Sequence, residues 1–312
     1  MSTASTASAE LGWFSTATVR LPCTAIIDDD LSFDWRFPIE MKPLLGHPVV
    51  LAQSYEVRRF IHVQAYHKYL HDICLTETDV VNRVAADIAY GHSVRKFEPD
   101  IAAQALAIIV DEAFHSYMAR LFSLKVIRAT GIEPLVLPRR NPLVNAYEVV
   151  AKGMNENNAA LSRFLCCCLS ESTFTKEILV ASKLEGYDPA FRKLMEQHLA
   201  DEGRHYGYFR HALTWLWDRL AESERETAAR LLPAIIKVYF DDSDELIFDR
   251  NVLLAAGMAP SVVDSVFRDI ERVRPAFGEL PRLRNSLEFL RQARVLPHPA
   301  VQRQLANEGL LQ

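Results

Sequence analysis

Four glutamates stand where a soluble helical protein should place only apolar side chains. Read at 3.6-residue spacing, one stripe runs Leu70, Ile73, Glu77, Val80, Val84. A second runs Ala105, Ile108, Glu112, His115, Ala119, Phe122, and a third Phe164, Cys167, Glu171, Phe174, Ile178. The fourth runs Phe191, Leu194, His198, Glu202, His205, Phe209. Apolar residues recurring at this spacing define the face a helix buries. Each of these faces therefore buries one carboxylate, and two of them bury histidine as well. A buried carboxylate without compensation costs more than a core position returns, and four on facing helices would repel one another. Two divalent metal ions would cancel four carboxylates, and neutral imidazoles would add nitrogen ligands without disturbing that balance. The competing reading is a polar cluster satisfied by its own hydrogen bonds.

The spacing along the chain supports the metal reading. Glu112 and His115 form Glu-x-x-His, as do Glu202 and His205. Residues three apart share one side of a helix, so each motif can present both side chains to one ion. Glu112 follows Glu77 by 35 residues and Glu202 follows Glu171 by 31, enough to climb one helix, turn and return to the same depth. Mixed carboxylate and imidazole ligands suit iron or manganese. Asp111 and Asp201 directly precede the motif glutamates. Each is a candidate acceptor for the outer ring N–H of the histidine on the opposite helix, Asp201 for His115 and Asp111 for His205. Ordinary solvated aspartates are the alternative.

The rest of the chain frames these stripes. Helical patterning is expected over Leu51–Tyr90 with a break near Thr76–Thr78, from Pro99 to Gly131, over Leu143–Lys183 with an irregularity at Gly153, and from Asp188 as N-cap through Pro189 to about Leu220. Shorter helices are expected over 223–240, 243–256, 259–273, 283–293 and 299–308. Residues 1–48 read as an irregular arm, with a Ser/Thr/Ala-rich tail over Met1–Leu11, prolines at 22, 38, 43 and 48 and an acidic run at Asp28–Asp30. Residues 49–312 read as a single domain with its core over about 50–220 and a helical cover over 221–312. Only 11 glycines in 312 residues disfavour a β-rich fold. The net charge of −5 gives no electrostatic basis for binding nucleic acid or a membrane surface. No stretch has a signal-peptide pattern or spans a bilayer, so a cytoplasmic protein is expected. The five cysteines, Cys23, Cys74 and Cys166–Cys168, form neither a disulfide framework nor a paired metal motif, and read as apolar fillers.

The fold expected is thus all-α. One glutamate from each of two helices with Glu-x-x-His from the other two resembles the ferritin-like two-metal carboxylate proteins. His198 narrows the resemblance. With it the fourth helix reads His198, Glu202, His205 at i, i+4 and i+7. Glu77, Glu112, His115, Glu171, His198, Glu202 and His205, in that order, resemble the ligand pattern of the p-aminobenzoate N-oxygenases, over about residues 50–220. The resemblance implies a ferritin-like four-helix core, two iron ions with dioxygen as co-substrate, and an external electron donor. It further implies a peroxo-diferric oxidant that converts a primary amine, aryl or amino-acid-derived, to hydroxylamine, nitroso or nitro products. A homodimer in specialised metabolism is implied as well.

An acidic substrate would call for a nearby cation, for which Arg163 and, in the C-terminal cover, Arg274 are candidates, with surface charge or a salt bridge the favoured alternative for both. Thr175, four residues after Glu171, is a further candidate substrate contact. Other readings stay open: a di-iron hydroxylase or desaturase acting on C–H bonds, a ferritin-like iron-binding protein, or a helical interaction protein. A ribonucleotide reductase small subunit resembles the ligand set, but the position four residues after His115, where that family carries its radical tyrosine, is Ala119.

Overall fold

The computed structural model describes residues 13–20 and 32–311, with backbone alone at 174–177 and 180. The tail over Met1–Leu11, Pro22, Cys23 and the Asp28–Asp30 run lie outside the described residues. Among the described residues the regular structure is helical and contains no strand. After a short α1 (Pro48–Leu51), Ser54 caps α2 (Tyr55–Thr76) by accepting from the Val57 amide. A π turn (Glu77–Val81) leads into α3 (Asn82–Tyr90). Then come α4 (Pro99–Thr130), α5 (Pro142–Val149), α6 (Glu156–Ala181) and α7 (Pro189–Arg219). Five more helices follow: α8 (Glu222–Tyr239), α9 (Ser243–Ala255), α10 (Pro260–Val273), α11 (Pro281–Gln292) and α12 (Pro299–Asn307).

The helix ends follow elementary rules. Proline opens α4, α5 and α7, where its missing N–H is no loss. Asp188 accepts from the amides of Ala190 and Phe191, capping α7. Gly91 and Gly131 end α3 and α4 in the left-handed conformation that glycine adopts without penalty. Two expected spans divide. The helix expected over Leu143–Lys183 is α5 and α6, because the chain turns at Gly153 with φ of 78°. The helix expected from Leu51 restarts at Tyr55, because the Ser54 cap begins a new ladder.

The pairing of helices places four long segments around one axis. The α2–α3 segment packs along α4, α6 packs along α7, and the two hairpins meet where α4 lies on α7 and α3 on α6. Helices α8 and α11 cover the α5–α6 side, and α12 packs on α8. The apolar interior falls into two bodies at opposite ends of the bundle. One gathers Val80–Ile88, Ile101–Ile108, Leu161–Leu169 and Tyr208–Leu216. The other gathers Ile61–Ile73, Met118–Val126, Ile178 and Phe191–Met195. On every long helix, the residues between those two bodies are the polar ones of the sequence stripes. Cys166, Cys167 and Cys168 are free and wholly buried in the first body, and burial pushes each thiol up, so they act as apolar filling.

A buried ionic junction ties the arm and α9 to α2. Lys42 lies 2.5 Å from Glu245 and 2.6 Å from Asp249, while Lys68 lies 2.5 Å from Asp72 and 2.6 Å from Glu245. Glu245 alone serves both ammonium groups. Burial opposes its charge, but Lys42 and Lys68 hold its carboxyl down to about 2. Glu245→Gln is expected to cost about 2 kcal/mol, below the about 3–5 kcal/mol of fully buried broken pairs because its side chain is 30% exposed and partly screened. Urea denaturation at neutral pH measures this, and an unchanged midpoint would assign the junction no stabilising role.

Candidate metal centre

Between the two apolar bodies the four long segments bring seven titratable side chains to one depth. Glu77 comes from the π turn, Glu112 and His115 from α4, Glu171 from α6, and His198, Glu202 and His205 from α7. All seven are buried. The π turn is defined by the Asn82 amide bonding to the Glu77 carbonyl five residues back. Such turns insert one residue into a helix and recur at functional sites; this one carries the first carboxylate of the layer.

The side chains form two overlapping groups. Glu77, Glu112, His115, His198 and Glu202 each offer a ligand atom within 4.8 Å of the others, and so do Glu112, Glu171 and His205. Glu112 belongs to both. His115 Nδ1 lies 2.8 Å from Glu112 Oε2 and 3.8 Å from Glu202 Oε1. On the other side of Glu112, Oε1 lies 2.8 Å from His205 Nδ1. His198 Nε2 stands 3.1 Å from Glu202 Oε1 and 3.3 Å from Glu77 Oε1.

Both oxygens of Glu77, both of Glu202, Glu112 Oε1 and His205 Nδ1 are buried and make no well-aligned hydrogen bond. Contacts such as His205 Nδ1 to Glu112 Oε1, 2.8 Å apart, need either a proton or a cation between the two atoms, because a buried polar atom left unpaired costs about 1–3 kcal/mol. Nitrogen and oxygen atoms about 3 Å apart, not aimed at one another along an N–H bond, are arranged as ligands of a common cation would be. The donor set of four carboxylates and three imidazoles fits a pair of hard-to-borderline divalent ions such as iron.

The electrostatics separate the four carboxyls. Burial would raise Glu112, but His205 and His115 hold it well below the usual range. Burial and Glu112 likewise oppose the charge on Glu202, which His198 and His205 keep low. Glu77 and Glu171 are pushed far up by burial and by the charges on Glu112 and Glu202. The metal-free layer thus carries two ionised carboxylates in the middle and two carboxyls that favour their protons.

Outside the layer, both Glu-x-x-His histidines have a carboxylate on the outer ring nitrogen. His115 Nε2 lies 3.0 Å from Asp201 Oδ2, and His205 Nε2 lies 3.2 Å from Asp111 Oδ2. Burial works against Asp201, but His115, Thr18 and Arg204 hold its carboxyl well below the ordinary range. Arg204 bridges the two aspartates, bonding Asp201 and standing 3.2 Å from Asp111. Sequence reasoning passed over Arg204, although it sits three residues after Asp201, on the same side of α7. Trp13 and Thr18 also reach these aspartates, and their segment carries no periodic signal that could have singled them out.

The candidate substrate arginines lie elsewhere. Arg163 is exposed and stands over the Tyr147 ring at 5.4 Å. Arg274 is exposed at the end of α10, paired with Asp242 and Glu271. Arg163 leaves α6 two turns from Glu171, on its solvent face, and Arg274 follows the last residue of a peripheral helix, so both stand where surface charges and salt bridges, the other reading of these residues, would place them. The Thr175 side chain lies outside the described residues. Ala119 is buried, and Tyr117 is 57% exposed, so neither places a phenol in the layer.

Fold and site together define an all-helical protein whose bundle is interrupted by a buried carboxylate–imidazole layer able to hold metal. The model of the p-aminobenzoate N-oxygenase AurF family matches residues 26–256, and the chain belongs to that family. The matched stretch includes all seven residues of the layer. A curated relative, the 4-aminobenzoate N-oxygenase of Streptomyces thioluteus, is 21% identical over 227 residues. That similarity covers 71% of this chain and 66% of the relative, so the chain spans slightly less than two thirds of the relative's length. Among the described residues, no helix is long and apolar enough to cross a membrane.

Proposed function

We propose that this chain is a di-iron N-oxygenase that uses dioxygen to oxidise the nitrogen of a primary amine, an arylamine being the first class to test. The observation that carries the proposal is the shared carboxylate. Glu112 belongs to two ligand groups at once, as a residue between two ions would. Glu77, His115 and His198 would serve one ion and Glu171 and His205 the other, with Glu112 and Glu202 between them. When bound, the irons would supply the electrons and open coordination positions needed to activate dioxygen, with an external donor restoring the ferrous state. The family membership supports amine nitrogen as the target.

The chain's own contribution is positional. Asp201 and Asp111 accept the outer N–H of His115 and His205, an arrangement that turns each Nδ1 to the layer and would present it to a metal ion once its proton is displaced. The apolar bodies on either side exclude bulk water along the bundle axis, which strengthens every charge interaction inside the layer. Residues 49–312 would act as one ferritin-like unit, paired as a homodimer.

The test is anaerobic loading with ferrous iron, removal of excess, and iron analysis, followed by exposure to oxygen with p-aminobenzoate and a panel of aryl and amino-acid amines. About two irons per chain are expected, with an amine gaining oxygen by mass spectrometry. A His198→Ala, Glu202→Ala double variant should lose both. A folded parent that keeps no iron would sink the proposal. Iron retention with oxygen inserted only at carbon would replace it with a hydroxylase.

A further inference from the structure

The two aspartates behind the layer are themselves held, and what holds them is the N-terminal segment. Trp13 Nε1 donates to Asp111, 3.0 Å from each carboxylate oxygen. The Thr18 amide donates to Asp201 at 3.2 Å, and the Thr18 hydroxyl also bonds Asp201. The Thr18–Arg20 turn packs on both α4 and α7, so the segment spans the seam where the two hairpins meet. Between Trp13 and Thr18, Arg204 Nη1 reaches Thr16 Oγ1 at 3.3 Å while its other arm binds the aspartates. Asp111 and Asp201 are buried, so their oxygens must find donors in the protein. Asp111 has three donors, the His205 ring N–H, the Arg204 guanidinium and the Trp13 indole, and Asp201 has four, the His115 ring N–H, Arg204, and the amide and hydroxyl of Thr18.

We infer that the 13–20 segment is a strap whose Trp13 and Thr18 are positioning residues for the metal centre. Trp13 fixes Asp111 and through it His205; Thr18 fixes Asp201 and through it His115. Without the strap Asp111 keeps two of its three donors and Asp201 two of its four, and each can rotate about its side chain. The ring behind which it stands then loses its fixed tautomer and angle. Partners behind metal-bound histidines set ligand orientation and basicity, and their loss lowers metal affinity about 10–100-fold. The strap acts one bond further out, so about a tenfold loss is expected for each residue. This inference rests on the metal-binding reading above.

Cobalt(II) is the probe, because its visible absorption reports ligand geometry without any turnover. Full-length parent, Trp13→Phe, Thr18→Val and Thr18→Ser are titrated with cobalt, and the metal-free forms are unfolded in urea. Trp13→Phe keeps the ring and removes the N–H; Thr18→Val keeps the shape and removes the hydroxyl. Both are expected to bind cobalt about tenfold more weakly with a shifted visible band, while their metal-free urea midpoints stay near the parent's. Thr18→Ser is expected to restore parent affinity and spectrum. Parent-like affinity and spectra in Trp13→Phe and Thr18→Val would overturn the strap. Weak binding that tracks lost metal-free stability, with no rescue by serine, would reduce it to a folding element. A parent that binds no cobalt and no iron would instead overturn the metal-binding reading itself.

Discussion

The double variant Glu77→Gln, Glu171→Gln is expected to lose its metal and, metal-free at pH 8, to be more stable than the parent. These are the two carboxyls that burial and their ionised neighbours push far up. A group whose folded value lies above its unfolded value keeps a proton in the native state that the unfolded chain gives up. Stability it contributes is complete below the unfolded value, near 4.5, and is lost as pH rises toward the folded one. The metal-free parent should therefore weaken as pH rises through neutrality, by at most about 1.4 kcal/mol per pH unit for each such group. Glutamine keeps the shape, carries no charge and removes that slope. On the proposed metal-binding reading the order would reverse: an ion held by the carboxylates would take the place of the protons, so loading should stabilise the parent and leave the double variant unmoved. Urea midpoints at pH 5 and pH 8, with and without ferrous iron under anaerobic conditions, measure all four corners. Equal midpoints for parent and variant at pH 8, with a flat pH dependence in both, would show that burial of these carboxyls costs nothing.

The second large effect is expected at Phe191. Its ring is fully buried at the first turn of α7 and contacts five others, with centroids 5.0 Å from Tyr66, 5.7 Å from Phe122 and Tyr187, and 5.9 Å from Phe37 and Tyr69. These rings come from the arm, α2, α4 and the turn before α7, so Phe191 joins four parts of the chain. Phe191→Ala should cost about 3–5 kcal/mol, since the surrounding rings cannot all close on the space left. That is a large share of the about 5–15 kcal/mol that stabilises a typical domain. Phe191→Leu should cost clearly less, about 1–2 kcal/mol, by keeping most of the volume. Thermal unfolding of the metal-free forms separates the two. A Phe191→Ala variant within 1 kcal/mol of the parent would mean the ring cluster is not a unit.

The sequence carried some of this plainly and some not at all. Pro99, Gly91, Gly131 and the Asp188–Pro189 pair state where helices begin and end, because each acts through its own backbone. Seven polar residues at one depth were readable because a charge in an apolar stripe violates the pattern it sits in. The expected break near Thr76–Thr78 falls beside the π turn, but the turn's true register depends on which carbonyl the Asn82 amide finds, and composition does not encode that. The ionic junction joins Lys42, Lys68 and Glu245, which are too far apart in sequence for any periodicity to connect. The Trp13–Thr18 contacts were hidden for the same reason, in a stretch read only as irregular. Arg163 was singled out for its charge shortly before Glu171 and Arg274 for its charge in the C-terminal cover; Arg163 lies on the solvent face of α6 and Arg274 just beyond the end of α10.

The arrangement of polar layer between two apolar bodies also fixes the sliding of the helices. Apolar packing alone is permissive: one hairpin moved along the other by a single helical turn, about 5.4 Å, would still bury leucine against valine. The layer is not permissive. The same slide would carry Glu202 one turn along α4, away from Glu112, and take His115 and His205 away from the aspartates on the opposite helix that hold them. Every long helix crosses the layer near its middle, so all of them are indexed to the same mark. The layer that is expected to make the metal-free bundle less stable at high pH is also what sets the alignment of its helices.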